Sequence, residues 1–207
     1  MAFGSAYLIR PPQVYRWIYS EAIFRKRTDQ KKVYLTFDDG PHPEATPAAL
    51  RVLESHGVKA TFFVLGNNAK QHPELMAELR RGGHQIGNHG MNHLNGWQTS
   101  TEAYVKDLNE GKVETKSDLF RPAYGKLTLG QYNQIKKTNE IILWDVISGD
   151  FDQSINAAKV IENVLDNVRD GSVIVMHDSK KAYKNMIGSL DKIIEKLNKE
   201  GFEFDLL

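Results

Sequence analysis

The stretch VYLTFDDGPHPEATP, from Val33 to Pro47, begins with an apolar run and ends that run with two adjacent carboxylates and a Gly-Pro pair. Neighbouring side chains in a regular strand point to opposite faces, so Asp38 and Asp39 can serve one site only where the strand ends. Two like charges repel each other, and neither enters a core without a partner. The stretch therefore predicts a strand that brings two carboxylates to a polar site at its carboxyl end.

Short apolar runs rich in β-forming residues recur from Lys32 onward and alternate with longer helical patterns. This alternation indicates parallel strands joined by helices, in an open sheet or a barrel. Seven runs are predicted to be strands: 33–37, 60–65, 84–88, 119–123, 141–146, 172–177 and 202–207. Helices are expected to begin near Pro47, Pro73, Ser100, Thr128, Ala157 and Ala182.

Polar side chains follow five of the predicted strands, and chemistry in such folds gathers where parallel strands end. Taken singly, each has an ordinary explanation as a turn residue or a structural histidine. Their recurrence at one end of successive strands indicates a shared site. The set comprises Asp38, Asp39, His89, His93, Arg121, Tyr124, Asp145, Ser148, Asp150, His177 and Asp178.

The composition limits the classes of function. The chain has 207 residues, of which 41% are hydrophobic and 26% charged, as in an ordinary globular domain. Its net charge of +1, without a long basic run, argues against a nucleic-acid partner. Cysteine is absent, so any metal site must use His, Asp or Glu.

The first 31 residues are expected to form a helical extension packed on a domain of residues 32–207. Val14, Trp17, Ile18 and Ala22 recur at helical spacing, which favours a stripe packed on the domain over contact with a membrane surface. The amino terminus makes a poor signal peptide, and no segment reaches the length of a membrane span. We therefore expect a cytoplasmic protein, with the cell envelope as the alternative location.

His89 and His93, in GNHGMNHLNGW, have a spacing that places two imidazoles on one face if the segment makes a helical turn. Alone, this pair is weak evidence, because a loop rich in Gly and Asn also attracts histidine. Asp39 would complete a set of two histidines and one aspartate. Three protein ligands with an open position are typical of a catalytic zinc site.

Five short motifs, in order along the chain, resemble those of the polysaccharide deacetylases of carbohydrate esterase family 4, the NodB-homology group. The motifs are TFDDGP (36–41), the histidines at 89 and 93, RPAY (121–124), DVISGDF (145–151) and VMH (175–177). The resemblance covers nearly all of the chain after residue 32. It implies an α/β fold, a distorted (β/α) barrel with about seven parallel strands.

The resemblance also implies the ligands of a metal. Asp39, His89 and His93 would bind a divalent cation, with zinc expected and Co²⁺ or Ni²⁺ as alternatives. Trp97, just past this loop, either stacks on a sugar ring or packs on the domain.

The same resemblance implies the groups that carry the reaction. Asp38 would be the general base, oriented and kept ionised by Arg121, and the backbone N–H of Tyr124 would stabilise the oxyanion. His177 would be the general acid, tuned by Asp150. These roles match the needs of amide hydrolysis, which are an activated water, stabilised charge on oxygen and a proton for the leaving nitrogen.

Four residues depart from the usual family pattern. Gly90 stands where Ser or Thr is usual, and we expect the missing hydroxyl to weaken metal affinity about 10–100-fold. Ala123 replaces a Pro before Tyr124, which gives the oxyanion loop more backbone freedom. Phe151 replaces a Trp and is expected to form an apolar wall for an acetyl group or a sugar. Val175 replaces a Leu and either lines the acetyl pocket or simply repacks.

The leading hypothesis is a metal-dependent hydrolase that removes N-acetyl groups from N-acetylglucosamine units of a chitooligosaccharide or a peptidoglycan-like glycan. An O-acetyl esterase acting on an acetylated polysaccharide is the alternative among hydrolases. A non-catalytic glycan-binding domain is the alternative of another class, and Gly90 and Ala123 motivate it. The expected partner is an acetylated glycan or oligosaccharide, and the sequence makes no prediction of oligomeric state.

Overall fold

The computed structural model describes residues 7–207, and the predictions for residues 1–6 lie outside that range. Its strands are β1 (Lys32–Asp38), β2 (Thr61–Val64), β3 (Gln85–Asn88), β4 (Leu119–Phe120), β5 (Glu140–Ile141), β6 (Val146–Ile147), β7 (Val173–His177) and β8 (Glu203–Phe204). Its α-helices are α1 (Gln13–Ile18), α2 (Ala45–Ser55), α3 (Gly66–Gln71), α4 (Pro73–Arg81), α5 (Thr101–Thr115), α6 (Leu129–Ile135), α7 (Ala157–Leu165) and α8 (Tyr183–Lys199). None of the helices in this range has the length and apolar character needed to cross a bilayer.

The strands form one curled parallel sheet in the order β5-β4-β3-β2-β1-β7-β6, and β8 pairs with β1. Every strand pair recorded within residues 7–207 is parallel. Parallel neighbours need long crossover connections, and helices supply most of them here. The sheet is a distorted (β/α) barrel, which confirms the predicted fold class.

The predicted fifth strand, residues 141–146, is two strands in the structure. β5 ends at Ile141 and lies at one end of the strand order, whereas β6 begins at Val146 and lies at the other end, beside β7. We call the gap between the two end strands β5 and β6 the seam of the barrel. Ile23 lies in this seam, where it pairs with Ile142 and its carbonyl accepts the N–H of Leu143. The apolar run is continuous in sequence because it stays buried while it crosses this seam.

Alternation along β1 explains how the strand presents Asp38. Leu35 and Phe37 belong to the main core between the sheet and its helices, where Phe37 stacks on Phe62 with ring centroids 4.9 Å apart. Thr36 and Asp38 point to the opposite side, into the barrel. Burying one such phenylalanine contributes roughly 1.5–3 kcal/mol to the stability of the fold. A shift of the β1 register by one residue would turn Phe37 out of the core and Asp38 into it. The core therefore fixes the direction of Asp38.

The amino-terminal segment contacts the rest of the chain through tyrosine rings. Tyr19 is buried and packs edge-on against Tyr132, with ring centroids 5.1 Å apart. Val14 and Ile18 are exposed, and Trp17 retains 71% of its exposure. The predicted burial is wrong for these three residues, because Tyr15 in α1 and Tyr19 directly after it make the contacts, whereas Ala22 packs on the core as predicted. The division into an extension of residues 1–31 and a domain of residues 32–207 stays a prediction.

Asp145, which the sequence grouped with the site residues, instead joins the amino-terminal segment to the barrel. Its fully buried carboxylate accepts hydrogen bonds from Arg16, Arg169 and Ser172, and Arg10 approaches to 3.5 Å. Burial raises the pKa of Asp145, but the hydrogen bonds from Arg169 and Ser172 and the arginine charges hold it below its usual range. Asp145 therefore acts as a structural anion away from the carboxyl end of β7.

Candidate active site

Asp38 and Asp39 reach one site because the chain turns sharply between them. β1 ends at Asp38, and Asp39 has φ +77°, a conformation that few residues other than glycine adopt. Asp38 therefore points into the barrel and contacts Arg121, while Asp39 faces His93. The turn solves the problem that adjacent strand residues point to opposite faces.

Positive φ angles of non-glycine residues are concentrated around this turn. Within residues 7–207 there are four, and three of them are Asp39 (77°), His93 (57°) and Tyr124 (59°). The fourth, Lys116, ends α5. Backbone strain persists only where the surroundings impose it, and it clusters at functional sites. Three of the four positive φ angles thus fall on residues of the sequence motifs.

Asp39, His89 and His93 form a cluster in which one ligand atom of each residue lies within 4.8 Å of the others. Asp39 Oδ1 is 3.6 Å from His89 Nε2 and 3.2 Å from His93 Nε2. The histidines meet through a loop that follows β3, where the sequence had suggested a helical turn. His89 Nδ1 donates to the Arg121 carbonyl at 2.8 Å, which directs Nε2 towards the cluster. This donor set fits a zinc-type cation.

The protonation states of the cluster suit metal ligands. Burial would raise the pKa of Asp39, but the hydrogen bond from His93 and the charges of His177 and His89 hold it well below its usual range. Burial lowers the pKa of His89, so its imidazole is neutral near pH 7. An ionised carboxylate and a neutral imidazole are the forms that bind metals.

Arg121 lies inside the barrel and holds Asp38. Its guanidinium is 2% exposed and donates to Asp38 Oδ1 and to Thr36 Oγ1, both at 2.7 Å. The group also lies 4.0 Å from the centroid of the Phe63 ring. A buried carboxylate needs such a charged donor to stay ionised. The pair therefore presents an oriented Asp38 carboxyl group beside the cluster of Asp39.

His177 lies next to Asp38 across the β1–β7 pairing and is held by Asp150. Its Nδ1 donates to Asp150 Oδ1 and its backbone N–H donates to Asp150 Oδ2, each at 2.7 Å. Burial lowers the pKa of His177, but the charge and hydrogen bond of Asp150 outweigh it and raise the pKa to about 9. The imidazole is therefore protonated at neutral pH.

Comparison with known proteins identifies the family. The family model for polysaccharide deacetylases matches residues 25–140, more than half of the chain. The chain belongs to the polysaccharide deacetylase family. A peptidoglycan-N-acetylglucosamine deacetylase of Bacillus cereus is 30% identical over 183 residues, covering 85% of this chain and 86% of that protein. PgdA of Listeria monocytogenes, also a peptidoglycan-N-acetylglucosamine deacetylase, is 37% identical over 185 residues, but the chain spans only 38% of its length.

A solved structure supports the same assignment. The Bc1960 peptidoglycan N-acetylglucosamine deacetylase matches with a TM-score of 0.87 and 32% identity, covering 93% of this chain and 94% of that one. The family and the barrel predicted from the five motifs are thus confirmed, and the chain is a polysaccharide deacetylase.

One exposed aromatic ring of the deacetylase lies beside the cluster, and a second exposed ring lies near the same lysine as the first. Tyr124 is 59% exposed and its ring is 4.4 Å from that of His93, centroid to centroid. Trp97 is 58% exposed, and its Nε1 donates to the Leu127 carbonyl at 3.1 Å. Lys126 Nζ lies 5.1 Å from the Trp97 ring and 5.8 Å from the Tyr124 ring. The two rings and the ammonium thus form one exposed surface.

Phe151 and Val175 lie near His177 on the other side of the site. The Phe151 ring meets the His177 ring edge-on at 5.0 Å and meets Tyr7 at the same distance. Val175 is buried on β7, two residues before His177 and therefore on the same face of the strand. Phe151 is thus available as a wall of the site, while Val175 lies deeper.

Two buried carboxylates beside the site had no role in the sequence predictions. Asp178 accepts a hydrogen bond from Thr46 Oγ1 at 2.5 Å, and burial raises its pKa to about 8. Asp107, on α5, accepts backbone hydrogen bonds from the loop between His89 and His93. Asp178 belongs to the polar set that follows the predicted strands but was given no function there, whereas Asp107 lies in an ordinary helical pattern that gave no signal.

Proposed function

We propose that this deacetylase is a zinc-dependent hydrolase that removes N-acetyl groups from N-acetylglucosamine units of a glycan and releases acetate. The observation that carries the proposal is the assembly, at one end of the barrel, of a metal-ligand set, a base held by arginine and an acid held by aspartate. The two relatives and the solved structure described above are named for N-acetylglucosamine deacetylation, which supports this choice of substrate.

Asp39, His89 and His93 would hold the cation. A bound divalent cation supplies Lewis-acid activation of water and of the acetyl carbonyl. We expect zinc, because two imidazole nitrogens and one carboxylate oxygen match its preferred donors.

Asp38 is the proposed general base. Its carboxylate takes a proton from the attacking water while the water oxygen bonds to the acetyl carbon, and Arg121 fixes the carboxylate for this step. Tyr124, at its positive-φ turn, is the proposed source of a backbone N–H for the oxygen of the tetrahedral intermediate.

His177 is the proposed general acid. As the carbon–nitrogen bond breaks, its imidazolium gives a proton to the nitrogen, so the products are acetate and a free amine on the sugar. Asp150 keeps the imidazole protonated until that step. Base and acid thus hold opposite protonation states at one pH.

The sugar would lie across the exposed rings of Trp97 and Tyr124, with Phe151 at the opposite wall. Aromatic faces pack on the apolar faces of sugars and leave the sugar hydroxyls free to reach water or protein. A cytoplasmic enzyme would meet short oligosaccharides, whereas an enzyme of the cell envelope would meet a polymer. Comparing the two substrate lengths therefore shows which kind of substrate the site accepts better.

Changing Asp150 to Asn should move the alkaline limb of kcat/KM towards acid. The pKa of His177 is raised to about 9 with Asp150 present, so activity should fall as pH rises through that value. Without the Asp150 carboxylate, burial still lowers the pKa while the charges of Asp39 and Asp38 still raise it, so the limb should shift down by about one to two pH units. Asp152→Asn removes a neighbouring carboxylate that does not contact His177 and should leave the limb in place. An unshifted limb in Asp150→Asn would contradict the assignment of His177 as the acid.

The proposed function is tested by metal analysis of the purified protein together with acetate release. Substrates should be chitotetraose, peptidoglycan glycan strands and acetylated xylan, each assayed before chelation, after chelation and after zinc is added back. We expect stoichiometric zinc, acetate release from the N-acetylated glycans, loss of activity on chelation and recovery with zinc.

Each other outcome contradicts a specific part of the proposal. Acetate release from xylan alone would make the protein an O-acetyl esterase. Zinc binding without acetate release from any of the three glycans would favour a glycan-binding domain. Acetate release that is unaffected by chelation, from a protein that holds no metal, would overturn the metal dependence.

A further inference from the structure

The loop that joins the two histidines is attached to α5 by one carboxylate. Asp107 Oδ2 accepts the backbone N–H of Met91 at 2.8 Å, and Oδ1 accepts the backbone N–H of Asn92 at 3.1 Å and its side-chain amide at 2.7 Å. Asp107 is 5% exposed, and no ion pair of the described residues involves it. These N–H donors therefore compensate the buried charge.

Gly90 and Asp107 fit each other. A Cβ on residue 90 would lie 2.7 Å from Asp107 Oδ2, and Gly90 has φ +82°, where other residues are strained. The Asp107 carboxylate thus occupies the space that a side chain at position 90 would need. The loop lacks the hydroxyl expected at this position, but it has a charged acceptor for two of its backbone amides in the same place.

The position of His93 depends on this loop. The ring of His89 is fixed from behind by the Arg121 carbonyl. For His93, no ring hydrogen bond other than the contact with Asp39 is present within residues 7–207. The backbone of His93, with its φ of +57°, therefore sets the position of Nε2 together with the packing of the ring against Tyr124. That backbone follows directly after the two amides that Asp107 accepts.

We propose that Asp107 is a positioning residue for metal binding, which holds the loop between His89 and His93 in the geometry that directs His93 Nε2 at the metal. The inference rests on the proposed metal site. It revises the expectation that Gly90 weakens metal affinity. The absence of a side chain at position 90 leaves room for the Asp107 carboxylate, which holds the loop in place of the missing hydroxyl.

The test measures the zinc dissociation constant of the metal-free protein by competition with a chromophoric chelator. Asp107→Asn keeps the shape but turns an N–H donor towards amides that need an acceptor, and it should weaken zinc binding about 10–100-fold. Glu110→Gln, an exposed change on the same helix, is the matched control and should leave the constant unchanged. Circular dichroism and thermal unfolding of the metal-free proteins show whether each variant is folded.

A second variant reaches the same contact from the loop. Gly90→Ala pushes a methyl group into the Asp107 carboxylate and should weaken zinc binding by a similar factor. The double variant should be little worse than either single variant, because both changes remove one interaction. Should Asp107→Asn fail to fold, Gly90→Ala still carries the test. The absorption spectrum of the Co²⁺ form should also change in both single variants.

The results separate this inference from the proposed function. Tight zinc binding by the wild type, with unchanged constants in Asp107→Asn and Gly90→Ala, would leave the proposed function intact and overturn the positioning role. Loss of thermal stability with an unchanged zinc constant would likewise make Asp107 structural only. Absence of zinc binding by the wild type would overturn the proposed metal site and, with it, this inference.

Discussion

Replacing Asp38 with asparagine should lower kcat for acetate release by about 10³-fold, within the usual contribution of a general base. Asparagine has nearly the same shape, and its carbonyl oxygen can still accept the hydrogen bond that Arg121 makes to Asp38 Oδ1. It cannot take a proton from the attacking water. Chemistry should therefore fail while the barrel interior remains packed. The measurement is the rate of acetate release from saturating chitotetraose.

Zinc binding separates this effect from loss of the metal. Asp38 is not in the ligand cluster, so Asp38→Asn should bind zinc with nearly the affinity of the wild type. Asp39→Asn is the matched control at the adjacent position, and it should lose zinc and activity together. If Asp38→Asn retained more than about a tenth of the wild-type rate, another group would have to be the base, since general bases contribute 10² or more.

The position of Asp38 could be predicted from the sequence because its causes are local. An apolar run that alternates between two buried faces, followed by a Gly-Pro pair, predicts a strand that ends at the carboxylates. The main core then fixes which face Asp38 occupies. The positive φ of Asp39 could not be predicted in this way, because such a conformation persists only where the surrounding contacts of the folded chain impose it.

The errors in the sequence predictions come from contacts between distant segments. Residues 141–146 were predicted as one strand, but the run crosses the barrel seam and pairs with Ile23, which lies far away in sequence. Asp145 was grouped with the site because it follows an apolar run. In the structure it forms ion pairs with arginines of the amino-terminal segment and of the segment before β7. The pairing with Ile23 and the ion pairs with the arginines could not be inferred from the local pattern, because an arginine in the sequence gives no sign of which carboxylate it will contact.

Gly90 shows that even an observed motif departure cannot be interpreted from the sequence alone. The missing hydroxyl predicted a weaker metal loop, because nothing in the sequence connects residue 90 with Asp107 on the following helix. In the structure the Asp107 carboxylate lies where a side chain at position 90 would be, so Gly90 has to be interpreted together with Asp107. The value of a residue in a loop depends on which side chain packs against it.

Replacing His177 with alanine should lower kcat for an N-acetyl substrate by about 10²–10³-fold but should change the hydrolysis of 4-nitrophenyl acetate by less than tenfold. An amine must be protonated to leave, and His177 is the group whose pKa Asp150 raises to about 9. A nitrophenolate leaves without a proton, so the ester does not need the acid. Rates for the two substrates, measured on the same zinc-loaded preparations, give the comparison.

The base and the acid therefore predict different patterns across the same two substrates. Asp38→Asn should slow both, because each reaction begins with deprotonation of water, whereas the loss in His177→Ala should be confined to the amide. Equal losses for amide and ester in His177→Ala would mean that the residue acts on the attack step, through the nearby Asp38 across the β1–β7 pairing. A selective loss would assign the two protons of the reaction to two residues that lie side by side at the ends of adjacent strands.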